Sequence, residues 1–67
     1  MKKTKRTPTE RTQSAIAKLR VRYTFREIVD LLREDGLITS ISHLSRIMDG
    51  QRESSDALAD AAERVAR

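Results

Sequence analysis

The chain has 67 residues, no cysteine, a single histidine and a formal net charge of +4 at neutral pH. A chain of this length forms one small domain, stabilised by helix packing and helped by self-association, because neither disulfides nor a thiolate metal site can reinforce it. No apolar run reaches the roughly 18 residues that a membrane span needs, and no signal-peptide hydrophobic region is visible, so we expect a cytoplasmic protein.

The charges are divided unequally along the chain. Residues 1–26 contain nine lysines and arginines against one glutamate, a net charge of +8, whereas residues 27–67 contain five arginines against nine acidic residues, a net charge of −4. A basic half on so small a domain favours a polyanionic partner such as nucleic acid. Taken alone, the same charge pattern is equally compatible with a solvated surface and a basic tail.

The first seven residues, MKKTKRT, are predicted to form a flexible basic arm, because they contain almost no apolar surface to bury. Such an arm can follow DNA phosphates or enter a minor groove, and an idle solvated tail is the equal alternative. The arm residues with this possible DNA role are Lys2, Lys3, Lys5 and Arg6.

Two capping boxes predict the first two helices. Thr7-Pro8-Thr9-Glu10 opens a helix over about 8–22, and Thr24-Phe25-Arg26-Glu27 opens a helix over about 25–35. Gly36 follows, where a residue in the left-handed conformation would end the second helix. Apolar residues recur at helical spacing in both segments: Ala15, Ile16 and Leu19, with Tyr23 beyond them, and then Phe25, Ile28, Val29 and Leu32.

Two further helices follow. Ser40 and Gly50 bracket a helix over about 41–49, and Ser54 or Ser55 caps a last helix over about 55–67. No segment of useful length alternates apolar and polar residues as a strand would. We therefore predict an all-α fold, a compact bundle of four short helices. Leu37 and Ile38 are expected to fill the core before the third helix, whose own apolar side comprises Ile41, Leu44, Ile47 and Met48.

The opposite side of the third helix is slim. Ser42 and Arg46 lie at its centre, with His43 on one flank and Asp49 and Ser45 on the other. Small side chains allow a helix to enter the DNA major groove, which is about 12 Å wide, and an arginine can donate two hydrogen bonds to guanine there. Each residue also has a plainer reading, as a surface serine, an exposed histidine or an arginine paired with a neighbouring carboxylate.

The segments TFREIVDLL and LSRIMDGQR resemble the helix-turn-helix of the phage repressor and Cro class. In that class the second helix often reads like REIAELL and the recognition helix often ends like VSRILNGKR. The resemblance covers about residues 24–52, with helices before and after as in that class. One departure is that Arg33-Glu34-Asp35 intervenes before Gly36, which extends the first helix of the motif by most of a turn and precedes a longer connection.

The resemblance implies a helix-turn-helix domain over residues 8–67, with the motif at about 24–50, and double-stranded DNA as the partner. Base contacts would set the sequence preference, and phosphate contacts would set the affinity and its salt dependence. Carried over residue by residue, the base-reading candidates are Ser42, His43 and Arg46. The candidates for backbone contacts are Thr24, Arg26, Thr39, Ser40, Ser45, Gln51 and Arg52.

We therefore expect a transcriptional repressor that binds an inverted-repeat operator as a homodimer and represses its own small phage or prokaryotic operon. Phage repressors, antitoxins and anti-CRISPR-associated regulators all come in this size. Two copies would read more base pairs than one. The predicted dimer contact, in addition to packing within the chain, lies on the last helix and comprises Leu58, Ala61, Ala62 and Val65.

Other classes of function are less well supported by the residues. The alternative is a small helical protein-interaction or RNA-binding adaptor with a basic face. An enzyme is disfavoured because the chain has no cysteine, no histidine with an evident triad partner and no glycine-rich phosphate loop. With one histidine and no cysteine, no metal site or other cofactor is expected, and no small-molecule effector is evident.

Overall fold

The computed structural model describes residues 7–67, in which all regular secondary structure is α-helical. The helices are α1 (Pro8–Arg20), α2 (Phe25–Glu34), α3 (Ile41–Met48) and α4 (Asp56–Ala66). The prediction of an all-α bundle of four short helices is therefore confirmed, and each predicted boundary lies within two residues of the observed one. The arm residues Lys2, Lys3, Lys5 and Arg6 lie outside the described residues. Among residues 7–67, no helix is long and apolar enough to cross a membrane.

Each helix begins at a side chain that accepts a hydrogen bond from the first turn. At α1, Thr7 Oγ1 accepts from the N–H of Glu10 at 3.1 Å, and the Glu10 carboxylate accepts in return from the N–H of Thr7 at 3.2 Å. The same reciprocal pair joins Thr24 and Glu27 at α2. Both predicted capping boxes are thus present, and they satisfy amide groups that the helix itself leaves unpaired. Single serines, Ser40 and Ser55, cap α3 and α4.

The helices α2 and α3 both end at a glycine in the left-handed conformation. Gly36 has a φ of +97°, and the N–H of the next residue, Leu37, donates to the carbonyl oxygen of Leu32 at 2.8 Å. Gly50 has a φ of +81° and is followed by an equivalent hydrogen bond at the end of α3. A side chain would be strained at these φ values. This Schellman arrangement ends α2 only after Glu34, so the extension of this helix is confirmed.

The core lies among all four helices, with the most extensive packing between α1 and α4. Alanines on α4 allow its backbone to approach α1 closely. The buried apolar cluster comprises Ala15, Ile16, Leu19, Ile28, Val29, Leu32, Leu44, Ile47, Leu58, Ala61 and Ala62.

The burial of α4 corrects the residues assigned to a dimer contact. Leu58, Ala61 and Ala62 are 3%, 1% and 0% exposed within the single chain, so they have no surface to offer to a second copy. Val65 packs at the edge of the cluster and is only partly buried. The apolar stripe of α4 is thus used to complete the core of this small domain.

Two isoleucines predicted to be in the core lie on the surface. Ile38 is 83% exposed and Ile41 is 44% exposed. Between α2 and α3 the exposure alternates, with Leu37 and Thr39 turned inward and Ile38 and Ser40 turned outward. Successive side chains of an extended chain point to opposite sides, so only one of the two adjacent apolar residues can reach the core. Leu37 occupies that position.

Candidate nucleic-acid interface

One side of α3 is held firmly by the rest of the domain. Leu44 and Ile47 are completely buried, and Met48 packs beside them. The side-chain amide of Gln13, on α1, donates a hydrogen bond of 2.7 Å to the carbonyl oxygen of Ile47. The same carbonyl accepts from the N–H of Gly50 at 3.0 Å, so Gln13 is its second donor and ties the C-terminal end of α3 to α1. The position of the helix is therefore set by both apolar packing and a directional hydrogen bond.

The opposite side of α3 faces solvent. Ser42 and Arg46 are exposed and lie four residues apart, so they project from neighbouring turns of the same face. His43 and Ser45 flank this face and are partly buried. Because Ile41 is also exposed, the solvent-facing side is rotated toward it from the predicted position. The structure thus places two of the three base-reading candidates at the centre of an open face and the third, His43, at its edge.

The hydroxyl groups that cap α2 and α3 are also at the surface. Thr24 Oγ1 accepts from the N–H of Glu27 at 3.2 Å, and Ser40 Oγ accepts from the N–H of His43 at 3.1 Å. Each hydroxyl still has its own hydrogen to donate, since capping uses it only as an acceptor. Both groups can therefore donate to an anionic oxygen while the helix start stays intact.

Thr39 does not fit its predicted role. Its hydroxyl oxygen is enclosed and has no hydrogen-bond partner in the structure. Thr39 points inward in the alternating segment between α2 and α3, whereas a phosphate contact requires the hydroxyl at the surface. Thr39 is therefore removed from the candidates for backbone contacts.

The cationic candidates are open to solvent. Arg26, Arg46 and Arg52 are exposed, and none of them forms an ion pair within residues 7–67. Gln51, next to Arg52, is exposed as well. Guanidinium groups with no carboxylate partner keep their full charge and donor capacity for an anionic ligand.

Acidic groups of α4 are already engaged by a residue of α1. Arg11 of α1 donates to Glu63 of α4 at 2.7 Å and 3.1 Å and also contacts Asp60, with Asp56 at 3.9 Å. Hydrogen bonds to Glu63 and Asp60 raise the pKa of Arg11. Part of the excess acid of residues 27–67 is thereby neutralised between α1 and α4.

A second ion pair joins the ends of α2 and α4. Arg64 donates to the carboxylate of Asp35 at 2.6 Å and 3.0 Å in a two-pronged geometry. These hydrogen bonds lower the pKa of Asp35 and raise that of Arg64. Together the two clusters engage four carboxylates with two arginines. The remaining described surface is therefore more basic than the sequence of residues 27–67 indicates.

A buried polar contact fixes the connection between α3 and α4. Thr12 Oγ1 and Ser54 Oγ lie 2.6 Å apart in the interior, and the backbone N–H of Ser54 donates to Thr9 Oγ1 at 2.9 Å. Ser54 Oγ donates to the carbonyl oxygen of Ser55, so Thr12 is the donor to Ser54. The sequence held one signal for this, since Thr12 precedes Ala15, Ile16 and Leu19 at the spacing of a buried helix face. No comparable signal marked Gln13.

The start of α1 lies beside the end of α3. A surface groove of about 400 Å³ is lined by the start of α1 and by the segment after α3, namely by Thr7, Pro8, Thr9, Gly50, Arg52, Glu53 and Ser54. Thr7 therefore lies near both Arg52 and Glu53. Residues 7–67 contain no group of three or more acidic, histidine or cysteine side chains that could hold a metal ion.

Comparison with known proteins gave no match: no protein-family model, no curated protein and no solved structure is significantly similar to this chain. Any functional conclusion therefore rests on the sequence and on the geometry described above.

Proposed function

We propose that the protein is a sequence-specific, double-stranded-DNA-binding transcriptional repressor. It would act as a homodimer on an inverted repeat, in the cytoplasm of a prokaryotic or phage-infected cell, and autoregulate a small operon. The observation that carries this proposal is the two-sided geometry of α3: Leu44 and Ile47 are fully buried, while Ser42 and Arg46 project from the opposite, open face. A recognition helix in the major groove requires one anchored side and one slim side with a long donor.

The charge distribution supports the same orientation. The carboxylates on α4 that pair with Arg11 face α1, whereas Arg26, Arg46 and Arg52 have no carboxylate partner. A duplex that approached α3 would meet cations without having to displace an existing ion pair. Exposed cations that replace condensed counterions provide most of the affinity for DNA at low salt.

The attachment point of the arm also supports the proposal. Thr7 and Arg52 line the same groove, so the first described residue lies near the C-terminal end of α3. An arm in this place would reach the backbone beside the groove in which α3 lies, as arms of other DNA-binding domains do. Lys2, Lys3, Lys5 and Arg6 remain predicted contacts on this basis.

The dimer remains part of the proposal, but its surface must differ from the one expected on α4. Leu58, Ala61 and Ala62 are used within the chain, and only Val65 keeps some exposure there. A palindromic operator needs two copies with a fixed half-site spacing, because one small domain reads only a few base pairs. Sedimentation of the free protein and of its complex would give the stoichiometry, and one copy per palindromic site would contradict the dimer.

The decisive experiment is a selection of binding sites from random duplex DNA, followed by fluorescence anisotropy with the selected and scrambled duplexes. We expect salt-dependent binding with a clear preference for the selected duplex. Arg46→Ala should flatten that preference, and Arg52→Ala should weaken all duplexes alike and reduce the salt slope by about 1. Arg67→Ala, at an exposed arginine at the end of α4, is the matched control. If no duplex is preferred in the selection, the repressor proposal is wrong.

The alternative is an adaptor that binds RNA or an acidic protein through the same arginines. One observation supports the adaptor function: Val21 is 85% exposed between Arg20 and Arg22, at a site remote in sequence from α3. Competition of the selected duplex against single-stranded and double-stranded RNA of the same sequence separates the two functions. Tighter binding to either RNA than to any duplex DNA would favour the adaptor.

A further inference from the structure

The start of α3 carries exposed apolar surface. Ile38 is 83% exposed and Ile41 is 44% exposed, and they flank the capping residue Ser40. Both are β-branched side chains of a type that usually lies inside a folded domain. Ile41 and Ser42 are consecutive exposed residues in the first turn of α3, and Ile38 lies three residues before Ile41. A ligand that meets Ser42 at the start of α3 will therefore approach this apolar surface.

The surroundings of these isoleucines restrict the kind of ligand that fits. Residues 36–48 contain no acidic side chain, while Arg46 and the capping hydroxyl of Ser40 supply donors. This combination is complementary to a polyanion that also exposes small apolar groups. Two isoleucines are too little for a stable protein interface, which buries about 800 Å² on each partner, and a second copy would bring a second Arg46 to the same place.

We propose that Ile38 and Ile41 recognise the 5-methyl groups of thymines in the major groove of the operator. This inference rests on the proposed function and deepens it, because it names the bases that the start of α3 selects. In helix-turn-helix docking, the N-terminal residues of the recognition helix are those that contact base edges. Thymine is the only unmodified base that presents a methyl group in the major groove, and apolar side chains discriminate it by contact.

Arg46, Ser42 and the two isoleucines then recognise different features of the bases. Arg46 donates two hydrogen bonds and suits guanine, whereas Ser42 offers one hydroxyl that is tolerant of several bases. Ile38 and Ile41 add the discrimination that neither provides, between thymine and cytosine on the same strand. Ile38 lies in the connection between α2 and α3, where the exposure of successive residues alternates and leaves its side chain outward.

The test removes single methyl groups from the DNA. Each thymine of the selected duplex is replaced in turn by deoxyuridine, which lacks the 5-methyl group and keeps the same hydrogen-bonding groups. Dissociation constants are measured for the unaltered protein, Ile38→Ala, Ile41→Ala and the control Val21→Ala, which shortens an exposed β-branched residue far from α3 in sequence. Thermal denaturation by circular dichroism checks that each variant is folded, which their exposure favours.

We expect the unaltered protein and Val21→Ala to lose roughly fourfold in affinity at one or more thymines, the effect of burying one methyl group. Ile38→Ala or Ile41→Ala should abolish that loss at the same position. In a duplex where that thymine is changed to cytosine, replacing the cytosine by 5-methylcytosine returns the methyl group. This replacement should restore part of the affinity for the unaltered protein alone.

The outcomes separate this inference from the function on which it rests. One contrary result is sequence-specific binding that is insensitive to every thymine-to-deoxyuridine change. Another is equal sensitivity to that change in both alanine variants and the unaltered protein. Either result overturns the methyl contact and leaves the repressor proposal standing. Absence of any preferred duplex overturns both. A change in the sedimentation of the free protein caused by Ile38→Ala would identify a second copy of the chain as the occupant and would also overturn the inference.

Discussion

The side-chain amide of Gln13 lies 2.7 Å from the carbonyl oxygen of Ile47, across 34 positions of sequence. This hydrogen bond joins the middle of α1 to the last turn of α3, and Ile47 is itself completely buried. The Ile47 carbonyl also accepts from the N–H of Gly50 at 3.0 Å, so the Gln13 amide is a second donor, from outside α3, that restricts the tilt of the helix. The orientation of the candidate DNA-reading face therefore depends on a residue that does not belong to it.

The Gln13→Ala variant should lose about 0.5–1.5 kcal/mol of unfolding free energy, the usual net contribution of one such hydrogen bond. Alanine has the higher helix propensity, so the loss would arise in spite of a better helix former in α1. Urea denaturation measures it, and Gln51→Ala, at an exposed glutamine whose side chain has no partner within residues 7–67, is the matched control. Equal stability of the two variants would contradict the role of Gln13.

The Thr12–Ser54 pair should behave as one unit. Thr12→Val and Ser54→Ala each leave a buried hydroxyl with one fewer partner, and each should cost roughly 1–3 kcal/mol. The double variant leaves neither hydroxyl and should cost clearly less than the two single losses together. A double-mutant cycle by chemical denaturation gives this coupling directly. Simple additivity would mean that the 2.6 Å contact between the two hydroxyls makes no net contribution.

The ion pair between Asp35 and Arg64 should make stability depend on acid pH. Hydrogen bonds from Arg64 lower the pKa of Asp35 in the folded state below the value of about 3.9 that an unfolded chain has. The ionised carboxylate therefore stabilises the fold above the unfolded-state pKa, and this contribution disappears as the pH falls through the folded-state pKa.

The measurement is the difference in unfolding free energy between the unaltered protein and Asp35→Asn across pH. We expect a constant positive difference between about pH 5 and 8 that shrinks below about pH 4 and decreases with added salt, because both partners are partly exposed. Asp49→Asn removes an exposed carboxylate without an ion pair within residues 7–67 and should lack this acid-dependent step. A difference that persists unchanged into strong acid would have to come from something other than the charge.

Enlarging Ala62 should destabilise the single chain. Ala62 is 0% exposed where α4 packs on α1, so Ala62→Leu should cost about 1–3 kcal/mol or more through overpacking. Ala17→Leu, at an exposed position of α1, should stay within about 0.5 kcal/mol. Denaturation at two protein concentrations should give the same loss for Ala62→Leu. If the loss of unfolding free energy changed with protein concentration, this face of α4 would be a contact between two copies of the chain.

The features predicted correctly from the sequence are local ones. Thr7 and Thr24 form their capping boxes with residues three positions away, and Gly36 and Gly50 adopt positive φ at helix ends. Such interactions depend on side chains within one turn of each other, so the order of the residues is enough to reveal them. The existence of the helices and the slim side of α3 with Ser42 and Arg46 followed from the same short-range pattern.

Which apolar residues are buried in the small core was decided only by the tertiary structure. Leu37 and Ile38 are neighbours of similar hydrophobicity, and the extended path of the chain turned one inward and the other outward. The stripe on α4 was equally suited to a core or to a dimer contact by its spacing. A domain of this size has little surface that it can bury, and the core of the single chain took up Leu58, Ala61 and Ala62 fully and Val65 in part.

Ion pairs and hydrogen bonds between distant residues likewise could not be predicted from the sequence pattern. The sequence by itself determined where helices start and stop, which sides of them are apolar, and that the chain carries a basic excess. The tertiary structure decided that Arg11 meets Glu63, that Gln13 meets Ile47, and that Arg26, Arg46 and Arg52 form no ion pair within residues 7–67. The physical reason is that these pairs join residues more than thirty positions apart, whose meeting depends on how the helices pack rather than on any local preference.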